Sequence, residues 1–127
     1  MPQSIFLSYV YEDRNHRDDV IRWCKEGRLG RDLVTLTESE DVRPQGEPAI
    51  ENHLKPKIRG AALVLCLVGQ NTHNHDWVRF ELAVATSMNK KILLARVPGT
   101  TGPAPEGFRH HPIGPLNPEA LAKALAS

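Results

Sequence analysis

Apolar residues along the chain fall into short continuous runs separated by polar turns and by longer segments with helical spacing. The four runs that predict strands are residues 5–10, 33–37, 61–68 and 91–97. Residues 61–68 are all apolar, which is typical of a central parallel strand that is covered on both faces. The chain therefore carries a predicted sheet with a buried centre.

Segments with apolar residues three or four positions apart lie between these runs and predict helices. They cover residues 13–26, a stretch that begins at 48, residues 76–88 and residues 118–127. Asp13 is a plausible N-cap for the first helix, and Asn117 is one for the last. In the second helix Ile50 and Ile58 lie on one face, and Pro56 is expected to kink or end it early.

The alternation of strands and helices predicts one α/β domain over residues 1–127. Right-handed crossovers would give a parallel sheet of four to five strands with helices on both faces, a three-layer fold. The core is expected within residues 1–97. Residues 98–118 contain six prolines and four glycines, so we expect a meandering surface segment without regular structure, followed by the closing helix 118–127.

Ligands bind such sheets beyond the carboxyl ends of the strands. That edge carries residues 8–13, the acidic loop 38–47, and the segment from Gly69 into the third helix. Candidate functional residues are therefore few, and they lie in three loops.

Composition and charge mainly exclude classes of binding partner. The chain has 127 residues and a formal charge of +1, so nothing directs it to nucleic acid or to an anionic membrane surface. Cys24 and Cys66 are expected to be small buried hydrophobes. No apolar stretch is long enough to span a membrane, and no signal segment is apparent, so a cytoplasmic location is the expectation.

Several binding motifs are missing. Neither GxxxxGK[ST] nor a GxGxxG after the first strand occurs, and Val68-Gly69-Gln70 stands where a phospho-accepting domain would have an aspartate. The histidine pairs 73/75 and 110/111, and the acidic residues at 38, 40 and 41, are more typical of ordinary loops than of metal sites. No metal is predicted.

Trp77 and Glu81 are four residues apart and so lie on one face of the third helix. An aromatic plane beside a carboxylate suits a ribosylated nicotinamide, and nicotinamide leaves NAD as a neutral molecule without a general acid. One ionised glutamate facing the developing oxocarbenium ion could then supply the electrostatic stabilisation. The alternative is that Glu81 is a solvated helix residue and Trp77 a core or rim aromatic.

A wider set of residues resembles the TIR-like family, and more narrowly the short prokaryotic TIR-like proteins that include the effectors of Thoeris anti-phage systems. The resemblance covers about residues 4–97, and these positions carry it: Ile5 to Tyr9, Tyr11 to Asp13, Arg17, Gly60 to Gly69, Thr72, Trp77, Val78, Glu81 and Leu82. It implies a flavodoxin-like parallel sheet.

The resemblance also implies a site. Glu81 would be the catalytic carboxylate, and the substrate-binding residues would be Ser8, Tyr9, Asp13, Asp41, Gly46 and Trp77. NAD would be the substrate, with no further cofactor. The product would be of ADP-ribose type, such as a cyclic ADP-ribose isomer that signals to a separate effector protein during phage infection.

Two other functions remain as alternatives. A TIR-like interaction module would keep the fold without turnover, and the Trp77/Glu81 pair counts against it. A nucleotide-binding or metal-dependent nuclease domain would need a basic groove or a convergent acidic cluster, and the sequence has neither. Self-association is expected for a TIR-like domain, and activity is predicted to depend on assembly or on an infection trigger.

Overall fold

The described part of the sheet has five parallel strands. The computed structural model describes residues 3–30, 33–36 and 54–126. The strands are β1 (Gln3–Ser8), β2 (Leu33–Leu36), β3 (Leu63–Val68), β4 (Lys91–Arg96) and β5 (Ile113–Pro115). Their order is β2-β1-β3-β4-β5, and every neighbouring pair is parallel. This order confirms the predicted α/β, flavodoxin-like fold.

Four described helices connect or follow these strands: α1 (Arg14–Lys25), α2 (Lys55–Gly60), α3 (Asp76–Ser87) and α4 (Pro118–Ala126). The closing helix is capped as predicted, because the Ala120 amide donates to the Asn117 Oδ1 at 2.7 Å. None of the described helices is long and apolar enough to cross a membrane.

Pro56 was predicted to kink or end a helix that begins at residue 48, and because residues 48–53 lie outside the described part of the chain this stays a prediction. Pro56 lies in the first turn of the described helix α2, which continues to Gly60. A first-turn proline is tolerated because its missing N–H has no carbonyl partner there in any case. Ile50, which carried part of the predicted helical pattern, lies outside the described residues.

The sheet is covered by two apolar layers. The α1/α4 face, formed by side chains of α1, α4 and the sheet, contains Ile5, Leu7 and Leu121. The α2/α3 face, on the other side, contains Phe6 and Leu82. Every residue of β3 is buried, as its apolar run predicts, and alternate side chains of β1 enter opposite layers. This alternation decides which residues can meet at the site.

The Pro/Gly-rich segment is more ordered than its composition indicates. It contains β5, which pairs with β4, and its Ala104 is buried in the layer of the α2/α3 face. Gly102 packs against the backbone of Gly69 and Gln70, and the Thr101 amide donates to the Gln70 Oε1 at 3.0 Å. The prediction of no regular structure was wrong because the outermost strand of this sheet pairs on one side only and so tolerates proline.

Candidate functional site at the β1/β3 edge

Four polar side chains are buried within the described residues, and all four follow the same two strands. Ser8 ends β1 and Asp13 precedes α1, whereas Thr72 and Glu81 come after β3. β1 and β3 are neighbours at the centre of the sheet, where the strand order reverses. This switch point is where open parallel sheets bind ligands, so the polar cluster occupies the predicted edge.

Ser8 and Glu81 form the centre of this cluster. The Ser8 Oγ donates to the Glu81 Oε1 at 2.8 Å, and neither side chain has exposed surface. Strand alternation points Ser8 to the α2/α3 face, as it does Phe6. Glu81 belongs to the inner side of α3 together with Val78 and Ala85, which are also buried. Glu81 is therefore not the solvated helix residue of the alternative interpretation.

Cys66 adjoins this pair. It is the register partner of Ser8 in the β1/β3 ladder. Burial raises the pKa of the Cys66 thiol well above its ordinary value, and the charge of Glu81 raises it further. Cys66 is fully buried in the apolar layer of the α2/α3 face, which confirms the prediction of a small buried hydrophobe.

Asp13 occupies the N-cap position of α1 without capping it. Its carboxylate packs instead on the Cα of Gly69, where an added Cβ would lie 2.8 Å from the Asp13 Cγ. The Oδ2 is buried and has no hydrogen-bond partner among the described residues. Burial, and to a lesser degree the charge of Glu12, raises the pKa of Asp13. Such a group favours a ligand or a water that would satisfy it.

Thr72 fixes the turn after β3. Its Oγ1 accepts a hydrogen bond from the Gly69 amide at 2.8 Å and donates to the Leu67 carbonyl at 3.3 Å. The turn thereby holds Gly69 under Asp13 and leads the chain into α3. Thr72 was part of the family resemblance, but its role in the turn was not predicted.

Trp77 stands one turn before Glu81 and is half-buried. Its ring packs edge to face on Phe80, with ring centroids 6.3 Å apart. The indole Nε1 is buried without a hydrogen-bond partner in the described part of the chain, and so is the His73 Nδ1. Trp77 thus brings a further unsatisfied donor to the start of α3.

Tyr9 is not brought together with Ser8 and Glu81. It follows Ser8 in sequence, so its ring enters the layer of the α1/α4 face on the other side of the sheet. There the Arg17 guanidinium donates to the Tyr9 hydroxyl at 2.5 Å and lies 5.0 Å from the ring centroid. Asp41 and Gly46, the other two predicted substrate-binding residues, lie outside the described residues.

Two cavities lie elsewhere. One, of about 110 Å³, is apolar and lies between α4 and the strands β4 and β5. The other, of about 390 Å³, is open and lies at the amino end of β4, lined by residues that include Lys90, Phe108 and His111. Neither is lined by Ser8, Asp13 or Glu81. Within residues 3–30, 33–36 and 54–126, no group of three acidic, histidine or cysteine side chains could hold a metal ion.

The parallel sheet in this order, with a buried polar cluster at its switch point, defines a flavodoxin-like α/β module with a candidate ligand site. A family model, that of the Thoeris protein ThsB TIR-like domain, matches residues 6–102. The chain therefore belongs to this family. Among curated proteins none matches the chain.

A solved structure supports the same fold. The TIR domain of the Toll-related receptor TRR-2 from Hydra magnipapillata matches with a TM-score of 0.62 and 17% sequence identity. The match covers 87% of this chain and 82% of the receptor domain. At this identity the likeness concerns the fold alone.

Proposed function

We propose that the chain cleaves the bond between nicotinamide and ribose in NAD, with Glu81 as the catalytic carboxylate. The observation that carries the proposal is the Ser8–Glu81 hydrogen bond, completely buried at the switch point of the sheet. Burying a carboxylate costs free energy, and such groups are concentrated at functional sites. Membership of the ThsB TIR-like family supports NAD as the substrate.

The chemistry needs one carboxylate. When the C1′–N bond breaks, its electron pair leaves with nicotinamide as a neutral ring, and positive charge develops on the ribose. Glu81 in its ionised form stabilises that oxocarbenium ion, and no acid is required for the leaving group. Water or a nucleophile on the same substrate then attacks C1′, which gives linear or cyclic ADP-ribose.

Two residues at the same edge of the sheet as Glu81 would contact the substrate. Trp77 offers an aromatic plane and an unsatisfied N–H at the start of α3. Asp13 offers a buried carboxyl oxygen without a partner in the described residues, beside the turn at Gly69. These groups can bind the carboxamide and ribose hydroxyls of NAD, which both donate and accept hydrogen bonds.

Access to Glu81 requires movement. The side chain is 0% exposed, so a dinucleotide reaches it only after neighbouring residues have shifted. We propose that assembly of several copies, or an infection trigger, brings about this opening. A cyclic ADP-ribose isomer would then be the signal that reaches a separate effector in anti-phage defence.

The test is NAD consumption, with the products identified by mass spectrometry. Wild type is compared with Glu81→Gln, and with Glu106→Gln as a control, because Glu106 is an exposed residue that pairs with Arg79 outside the cluster. Each protein is assayed at low and high concentration, with and without extract from phage-infected cells.

We expect Glu81→Gln to lower the rate at least about 1,000-fold, as loss of the main electrostatic stabiliser does, and Glu106→Gln to retain wild-type activity. The product mass distinguishes cyclic from linear ADP-ribose. Absence of turnover in wild type under every condition would contradict the proposal and favour an interaction module. A specific activity independent of concentration and extract would contradict control by assembly or trigger.

A further inference from the structure

We propose that Gly102 is a positioning residue of the candidate site, because it holds the turn 69–72 against Asp13 and so fixes where Asp13 meets the substrate. The inference rests on the proposed function, since Asp13 binds substrate only there. It assigns a role in the site to the Pro/Gly-rich segment 98–118, which the sequence indicated as a meandering surface segment.

Three loops lie side by side at the carboxyl edge of the sheet. They follow β1, β3 and β4, which are consecutive neighbours in the strand order. The loop after β1 ends with Asp13, the loop after β3 contains the turn 69–72, and the loop after β4 contains residues 100–102. The turn 69–72 is therefore the middle loop, with one neighbour on each side.

The first contact joins the middle loop to Asp13. The Asp13 carboxyl packs on the Cα of Gly69, where a Cβ would lie 2.8 Å from the Asp13 Cγ. Next to this contact the Asn71 Nδ2 donates to the Glu12 carboxylate at 3.3 Å. Asp13 is buried, so a displacement of Gly69 must be transmitted to its carboxyl.

The second contact joins the middle loop to Gly102. A Cβ at Gly102 would overlap the carbonyl oxygens of Gly69 and Gln70 and would lie 2.7 Å from the Gln70 carbonyl carbon. These are backbone atoms, which cannot swing aside as the end of a flexible side chain does. The Thr101 amide donates to the Gln70 Oε1 at 3.0 Å, and the Arg96 Nη1 donates to the Gly102 carbonyl at 2.7 Å. Gly102 is thus held where only a glycine fits.

A side chain at position 102 would push the turn 69–72 toward Asp13, because packed interiors transmit small displacements. Glu81 should move less, since Val78 and Leu82 anchor α3 in the apolar layer of the α2/α3 face. Displacing Asp13 weakens substrate binding, whereas the chemical step at Glu81 continues. Loss of Gly102 should therefore raise KM and leave kcat nearly unchanged.

Steady-state kinetics of Gly102→Ala with NAD test this. We expect KM to rise about 3- to 10-fold, on the order of one hydrogen bond, and kcat to stay within about twofold of wild type. Gly114→Ala is the matched control, because Gly114 lies in the same segment with nothing within 4 Å of its added Cβ. The control should leave both constants unchanged.

The pattern of the two constants separates positioning from a merely structural role. A variant that only reduced the folded fraction would lower the apparent kcat without changing KM, and that result would overturn the inference. Should Gly102→Ala not fold, Gln70→Ala carries the same test, because it removes the acceptor of the Thr101 amide from an exposed position without adding atoms. We then expect KM to rise about 2- to 4-fold at unchanged kcat, and an unchanged KM would contradict the role of this segment.

A measurement without NAD keeps this inference distinct from the proposed function. NMR spectra of wild type, Gly102→Ala and Gly114→Ala are compared at the Asp13 carboxyl carbon and the Gly69 amide. Both signals should move in Gly102→Ala and neither in Gly114→Ala. Changes confined to residues 100–104 would overturn the inference. If wild type consumes no NAD but the Asp13 signal moves, the proposed function fails while the link from Gly102 to Asp13 stands.

Discussion

The last residue of β1 and the residue after it show how differently the two faces of one sheet are used. Ser8 enters the α2/α3 face and meets a buried carboxylate. Tyr9, the next residue, enters the α1/α4 face, where its ring is buried among apolar side chains and its hydroxyl binds Arg17 at the rim. Both stand at the carboxyl edge of the sheet, but the candidate chemistry is on one face only.

The energetic demands of the two faces differ accordingly. The Tyr9 ring is buried while its hydroxyl accepts a hydrogen bond from the partly exposed Arg17 guanidinium, so no polar atom of Tyr9 loses its hydrogen bonding on burial. Ser8, Asp13 and Glu81 bring carboxylates and a hydroxyl into an interior where unsatisfied polar atoms are costly. This difference is the reason why we propose the functional site on the α2/α3 face.

The largest expected effect on stability is at the contact between Asp13 and Gly69. Gly69→Ala places a Cβ 2.8 Å from the Asp13 Cγ, and we expect it to cost about 1–3 kcal/mol of unfolding free energy, as overpacking does. Gly114→Ala is the control, since nothing lies within 4 Å of its added Cβ. Urea unfolding measures both variants, and equal stabilities would refute the close contact.

Asp13→Asn should have a smaller, pH-dependent effect. The pKa of Asp13 is raised in the folded protein, so folding favours its neutral carboxyl. The stability gained from the neutral form is complete below the pKa of Asp13 in the unfolded chain, and it is lost as pH rises through the pKa in the folded protein. We therefore expect Asn to stabilise the protein near pH 7 and to have little effect near pH 3. Thermal unfolding of wild type and Asp13→Asn across this pH range measures the difference in stability. A stabilisation by Asn that increased toward acid pH would contradict the raised pKa of Asp13.

Tyr9→Phe should have the smallest effect and sharpens the contrast between the faces. Losing the hydrogen bond from Arg17 should lower the unfolding free energy by about 0.5–1.5 kcal/mol. Because the ring lies on the opposite face from Glu81, kcat for NAD should stay within about twofold of wild type. A loss of activity comparable to that of Glu81→Gln would show that both faces serve the site.

Much of the fold could be predicted because it depends on local pattern. The run at 61–68 and the helical spacing at 76–88 needed no tertiary information, and Trp77 and Glu81 were found together by spacing. β5 was missed because its stability comes from pairing with β4 and not from its own residues. The prediction for Pro56 stays untested, because the predicted helix begins at residue 48, outside the described residues.

The site was predicted less completely. Period-2 alternation along β1 already separates Tyr9 from Ser8, and this signal was available in the sequence. The position of Cys66 beside Ser8 was not, since it depends on the register between β1 and β3. Asp13 was expected at a pocket edge, but its contact with Gly69 joins two loops distant in sequence and follows only from the fold.

The central claim is that NAD binds at the carboxyl edge of β1 and β3 on the α2/α3 face. The most direct test is an amide chemical-shift map of 15N-labelled Glu81→Gln titrated with NAD under the conditions of protein concentration and extract in which wild type consumes NAD, since this variant is expected to bind without turnover. The account predicts the largest shifts at Ser8, Gly69 and Trp77. Shifts confined to the cavity at Lys90 and Phe108, or no shifts at millimolar NAD, would contradict it.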